Sequence, residues 1–153
     1  LLIVSHLNNK KSFSYCFDSY NREYPATLKL NNINKNLFIK NKKKNILIKP
    51  IKVQHGNVYS ICYIIDKKLA YISDVSEIYK KDYKYFKNLK YLIIDCLWYR
   101  NHPSHFNLEK SLETIKKFSP KKAILTNLHT DIDYNQIKKI LPKNIVPALM
   151  DYQ

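Results

Sequence analysis

The apolar positions of this chain change period about halfway along it. From residue 37 to 73 they fall in short runs rich in Ile, Val and Tyr, at 37–40, 46–53, 58–65 and 69–73. Alternation of Ile46 with Ile48, then of Ile51 with Val53, predicts a strand with one buried face, and Pro50 inside it predicts an edge or a bulge. The basic stretch 41–45 and Asp66-Lys67-Lys68 read as turns, the second closing a hairpin. Residues 76–86 are expected to form a short helix, and 91–95 a buried strand that ends on a carboxylate. Further on, Leu108, Leu112, Ile115 and Phe118 recur at spacings of three and four, which predicts an amphipathic helix capped by Asn107 and stopped by Pro120. A short strand at 123–126 and a polar loop at 127–133 follow. A second helix is then expected from its cap at Asp133 to Leu141, before Pro142. Strands alternating with helices give the class as α/β or a mixed sandwich. Residues 1–35, with Asn-rich turns and the aromatic cluster Phe13, Tyr15 and Phe17, give no readable period.

Composition adjusts this picture modestly. The 153 residues, 45% hydrophobic, suffice for one domain with a core. No apolar run approaches the roughly 18 residues that a membrane span needs, so no membrane partner is expected. The apolar start Leu1-Leu2-Ile3-Val4 lacks the flanks of a signal peptide. Cys16, Cys62 and Cys96 form no CxxC pair, which suits reduced thiols in a cytoplasmic protein, with Cys62 and Cys96 in the core. A net charge of +15 would suit a nucleic-acid partner. A/T-rich codons are the preferred explanation, since Lys, Asn, Ile and Tyr dominate, Gly occurs once, and the lysines are scattered apart from Lys42-Lys43-Lys44, so the charge does not argue for DNA binding. An anionic substrate gains from the field under either reading.

The candidate chemistry lies in histidines at element ends. His55 closes an expected strand and precedes Gly56, the single glycine, whose place implies a positive φ or a close approach. Asp74 ends the hairpin, and His102, His105 and His129 lie in loops. Imidazoles and carboxylates at strand ends converge on one rim of a sheet, where metals bind. Singly, each has a plainer role: a turn residue at His55, a helix cap at Asp74, a solvated loop at 102–105.

The wording of five blocks resembles the metallo-β-lactamase-fold family, in the branch of cyclic phosphodiesterases and relatives of tRNA-processing nucleases. Phe13-Ser14-Tyr15-Cys16-Phe17 resembles its RFxYCF segment, and Val53-Gln54-His55-Gly56 its VPHG. Residues 70–78 resemble AYxTDVxEI, 92–107 resemble LIxDALRYRPHPTHFS, and 125–134 resemble LTHMSHDLDY. The resemblance implies a partial αββα sandwich and a hydrolase that uses two divalent metal ions, Zn or Mn, to activate water against a phosphodiester. It implies that His55 is a metal ligand, that Asp74 bridges the metals, and that His105 is the catalytic residue that protonates the leaving group or steadies the phosphate. Asp95 becomes a carboxylate that orients a ligand, and His102 has no role beyond its loop. The implied partner is a small phosphodiester or a nucleotide, and a homodimer is admitted.

The chain departs from that pattern in three places. It contains no HxHxDH, so the resemblance makes 1–153 the C-terminal portion of a single domain whose N-terminal portion, carrying that motif, lies upstream. The family's last ligand falls on Asn127, a poor ligand for transition metals, and His129 two residues later is the substitute metal ligand expected here. The tail from Leu149 to Gln153 lacks the family's Asp-Gly and final strand. Two rival readings accompany the enzyme: a basic nucleic-acid-binding module that stacks bases on the Tyr and Lys of 79–91, and a non-catalytic relative of the same fold.

Overall fold

The computed structural model describes residues 2–3, 16, 29–30, 36–40 and 45–149. The aromatic segment 13–17 (apart from Cys16), the turn at 41–44 and the tail from Met150 lie outside the described residues. The chain divides into two compact units, 1–37 and 38–153. In the first, β1 (Leu2–Ile3) pairs in parallel with β2 (Lys29–Leu30).

The second carries a seven-stranded mixed sheet, its strands neighbouring one another in chain order. They are β3 (Leu37–Ile39), β4 (Ile46–His55), β5 (Val58–Ile65), β6 (Leu69–Ile72), β7 (Tyr91–Asp95), β8 (Lys122–Thr126) and β9 (Ile145–Pro147). From β4 to β6 the pairing is antiparallel, and from β6 to β9 it is parallel. Parallel neighbours need crossovers. A 3-10 helix (Lys80–Phe86) lies between β6 and β7, α1 (Leu108–Phe118) between β7 and β8, and α2 (Tyr134–Ile140) between β8 and β9. The α/β class expected from the sequence therefore holds, as a mixed sheet with helices of the αββα kind.

One face of the sheet is sealed. Ile51, Val53, Cys62, Ile64, Ala70, Ile72, Leu92, Ile94, Ala123 and Leu125, alternate positions on five strands, share a core with Ile115 and Phe118 of α1 and Ile137 of α2. Residues in the alternating register, such as Ile61, Tyr63, Ile93 and Ile124, are only half-buried. Phe86 stacks on Phe118 at 4.9 Å and anchors the 3-10 turn to α1.

Both cap predictions match the structure. The Asn107 side chain accepts from Lys110 N–H at 2.8 Å, and that of Asp133 from Gln136 N–H at 2.7 Å. Ser119, in the left-handed region, closes α1 before Pro120. The three-residue turn at 66–68 puts Asp66 and Lys67 at positive φ and joins β5 to β6 as expected.

Two expectations need correction. The ladder runs unbroken through Pro50, which faces Tyr63, so there is no bulge. The strand outside β4 is β3, only three residues long, and a missing N–H costs little so near an edge. The helix expected from residue 76 starts only at Lys80. Ser76 and Glu77 are committed elsewhere: Ser76 N–H donates to Gln54 O at 2.8 Å, and Glu77 O accepts from Gln54 N–H at 2.9 Å. A segment tied to β4 in this way cannot also close helical hydrogen bonds. Asp74 consequently caps no helix, and the residue before the 3-10 turn is Tyr79.

Candidate metal centre

The sheet's directions bring distant residues to one rim. β4 runs antiparallel to β5, and β5 to β6, so the carboxyl ends of β4, β6, β7 and β8 lie on the same side. Those ends carry His55, Asp74, Asp95 and Asn127, each the last residue of its strand or within two of it. Ligand sites in open sheets form at such ends.

His105 reaches the same rim from a closed loop. Leu97 N–H donates to Phe106 O at 2.9 Å and Leu108 N–H to Trp98 O at 2.8 Å, pinching the loop shut at its base. His102, Pro103, Ser104 and His105 occupy its far side. Ligand atoms of His55, Asp74 and His105 then lie within 4.8 Å of one another, the one such group of three His, Cys, Asp or Glu among the described residues. The rings of His55 and His105 meet edge to face with centroids 4.7 Å apart.

The partners of each ring decide which nitrogen is available. His55 Nδ1 is 2.8 Å from the Ser104 carbonyl, which only accepts, so Nδ1 carries the hydrogen and Nε2 keeps its lone pair. His105 Nδ1 is 2.7 Å from Asp95 Oδ2. That oxygen also accepts from Val75 N–H at 3.2 Å, so the carboxylate acts as acceptor and His105 likewise turns an Nε2 lone pair outward. A carbonyl or carboxylate behind a histidine is the arrangement that orients metal-binding imidazoles.

Asp95 is fully buried. Burial raises its carboxyl above the ordinary carboxylate range, and Val75 N–H, His105 and the Asn127 amide draw it partly back. The Asn127 NH₂ donates to Asp95 Oδ1 at 3.2 Å and to the Ser73 carbonyl. Both partners accept, so the amide nitrogen is committed inward. Asn127 sits at φ 59°, a region that Asn tolerates. Asp74 accepts from Ser73 Oγ at 3.0 Å, and its backbone carbonyl accepts from Ser60 Oγ.

His129 stands outside the group. Its Nδ1 accepts from Asp131 N–H at 3.2 Å, and its ring packs edge to face on Trp98 at 4.7 Å. The same indole meets His102 at 5.7 Å. The Trp98 Nε1–H is buried without a hydrogen-bond partner among the described residues.

Gly56 explains its own presence. It adopts φ +60°, and a Cβ there would lie 2.9 Å from the Ser104 Cβ. The β4–β5 turn and the His102–His105 loop thus touch where only hydrogen fits. The sequence pointed to the glycine but not to its neighbour. Ser104 acts through its backbone, which no residue pattern announces.

Imidazole nitrogens beside a carboxylate suit a borderline divalent cation such as Zn or Mn. The His55 nitrogen and the Asp74 carboxylate fit one such ion, with the His105 ring beside it and coordination positions open for water and substrate.

A family model described as a beta-lactamase superfamily domain matches residues 8–127. A solved diphosphatase of the PhnP family superposes with TM-score 0.81 at 21% identity, over 97% of this chain and 55% of that one. The metallo-beta-lactamase fold protein YhfI from Bacillus subtilis gives 0.70 at 15%, over 95% and 61%. Human tRNase Z, short form, gives 0.55 at 13%, over 81% and 49%. Among curated proteins, an octanoyltransferase of Porphyromonas gingivalis is 27% identical over 104 residues, 66% of this chain and 21% of that protein. The chain thus spans 55% and 61% of the length of the first two similar structures and about a fifth of the curated relative.

Proposed function

The chain belongs to the beta-lactamase superfamily, and from that membership we propose that it supplies part of the active site of a metal-dependent phosphodiesterase. What supports the reading is one observation: His55, Asp74 and His105, from three separate stretches, bring donor atoms within 4.8 Å of each other. The likeness to a diphosphatase and a tRNase Z favours a phosphate ester or anhydride as the bond attacked. A bound Zn or Mn ion supplies water acidification and charge neutralisation at the phosphate.

In this reading His55 holds the ion through Nε2, and Asp74 through its carboxylate. His105 handles the proton. Its ring is fixed by Asp95 on Nδ1, so Nε2, once its lone pair has taken up a proton from the attacking water, would pass that proton to the departing alkoxide without reorientation. A second ion, as the family resemblance implies, needs donors beyond these three. Asn127, its NH₂ tied to Asp95 and Ser73, has only its amide oxygen to offer, a weak donor for transition metals. His129 would have to leave Trp98 to supply one.

Titration calorimetry with Zn²⁺ and Mn²⁺, alongside turnover of bis(p-nitrophenyl) phosphate, tests the proposal. His55→Ala and Asp74→Asn should each weaken binding of the ion by at least about tenfold. His105→Ala should keep the ion and lose about 10²–10⁴ in rate. Wild-type affinity unaltered by the first two substitutions would remove the metal centre. Loss of the ion in His105→Ala would make that residue a ligand instead.

A further inference from the structure

Three imidazoles share this rim, and a single residue sets two of them in opposite senses. The Ser104 carbonyl accepts from His55 Nδ1 at 2.8 Å. Ser104 N–H, which only donates, points at His102 Nδ1 at 3.3 Å, with the Ser104 hydroxyl 3.2 Å from the same nitrogen. An Nδ1 that accepts has its lone pair occupied, so in neutral His102 the hydrogen sits on Nε2. His55 and His105 present lone pairs, as ligands or bases do. His102 presents an N–H, as an anion-binding group does.

His102 is also placed next to the chemistry. Its ring centroid is 5.2 Å from that of His105, and both line one cavity of about 360 Å³ with Asn101 and Lys110. Glu109 and Glu113 line it as well, and Glu113 occupies the Lys110 ammonium at 3.4 Å. The lysine is thereby partly neutralised, and the His102 N–H adds a donor to a lining that also holds the Ser76 hydroxyl and the Asn101 amide.

We propose that His102 is a substrate-binding residue, donating its Nε2–H to a non-bridging oxygen of a phosphoryl group seated in the cavity beside His105. The proposal rests on the phosphodiesterase reading above. It gives a role to a histidine that the sequence leaves as loop. It also divides the rim into a side that takes cations and a side that takes anions.

Two measurements test it on the 153-residue chain. Long-range ¹H–¹⁵N spectra of the metal-free protein at neutral pH should show His102 with its hydrogen on Nε2, and His55 and His105 with theirs on Nδ1. Inorganic phosphate, titrated in the presence of Zn²⁺, should shift the His102 Nε2 signal. His102→Phe should weaken phosphate about tenfold, whereas His102→Gln, which keeps a donor, should stay within about threefold of wild type. Zn²⁺ affinity should be unchanged in both. A His102 hydrogen on Nδ1, or equal phosphate affinity in His102→Phe, overturns the proposal and leaves the phosphodiesterase reading standing. Wild-type protein that binds Zn²⁺ but no phosphate overturns both.

Discussion

The antiparallel and parallel halves of the sheet both deliver residues to the rim, but they hold them differently. In the antiparallel half, β4 and β5 pair at eight consecutive positions from Ile48↔Ile65 to His55↔Val58, so His55 is placed by the ladder and a two-residue turn. In the parallel half, β7 ends at Asp95 and nine residues intervene before His105. No ladder reaches that far. Position there depends on individual hydrogen bonds: Asp95 to His105, Asn127 to Asp95, and Ser111 Oγ to the Asp95 carbonyl at 2.6 Å. Short connections can leave placement to register, whereas a long one needs a buried polar network to do the same job.

Breaking that network should have the largest effect. Asp95→Ala strips Val75 N–H, His105 and Asn127 of an acceptor at a fully buried site, and should cost about 2–4 kcal/mol in urea denaturation. The His105 tautomer should lose its preference while that of His55 is retained. Stability within about 0.5 kcal/mol of wild type would erase the contrast between the halves. Gly56→Ala strikes the point where the halves touch. Positive φ and the 2.9 Å approach to Ser104 predict a loss of about 1–2 kcal/mol and shifted resonances at both His55 and His102. Asn107→Ala removes the α1 cap and the bond to Asn101, and should cost about 1 kcal/mol on the parallel side alone.

The smallest effect sharpens the comparison through the thiols. Cys62 lies on β5 and Cys96 follows β7, and burial pushes each up to about 12. The folded protein therefore binds these protons more tightly than the unfolded chain does. Their contribution to stability is complete below about pH 8.5 and is lost as pH climbs toward 12. At pH 8 both should resist iodoacetamide until the protein opens. Cys96 should be labelled first if the parallel half, with its sparser ladder, opens more readily. Mass spectrometry of the labelled peptides reads the order, and Cys62 reacting first would reverse the ranking.

The sequence announced whatever periodicity could announce. β5 and β7 match the expected 58–65 and 91–95, because β-branched runs bounded by turns have one reading. The helix around Leu112 and Ile115 and both caps were equally visible. The 3-10 turn was not, since Phe86 is its one buried residue and its first expected turn is bound to Gln54 across 22 residues of chain. β9 went unread because three residues that end in Pro147 carry no period. At the rim, residue identity and family resemblance pointed to His55, Asp74 and His105. Nothing in composition could say that His129 packs on Trp98, or that His102 and His55 are set by the same neighbour. Those facts arise from contacts between loops, beyond the reach of local pattern.

Ser104 links two rings through adjacent peptide planes. The N–H that meets His102 and the C=O that meets His55 lie on either side of one α-carbon, so a few degrees of rotation there tilt both imidazoles together. A cation drawing His55 forward would tug that pivot and re-aim His102 in the same motion. The two halves of the pocket would then share a mechanical fulcrum at one backbone position, and loading one would be felt by the other.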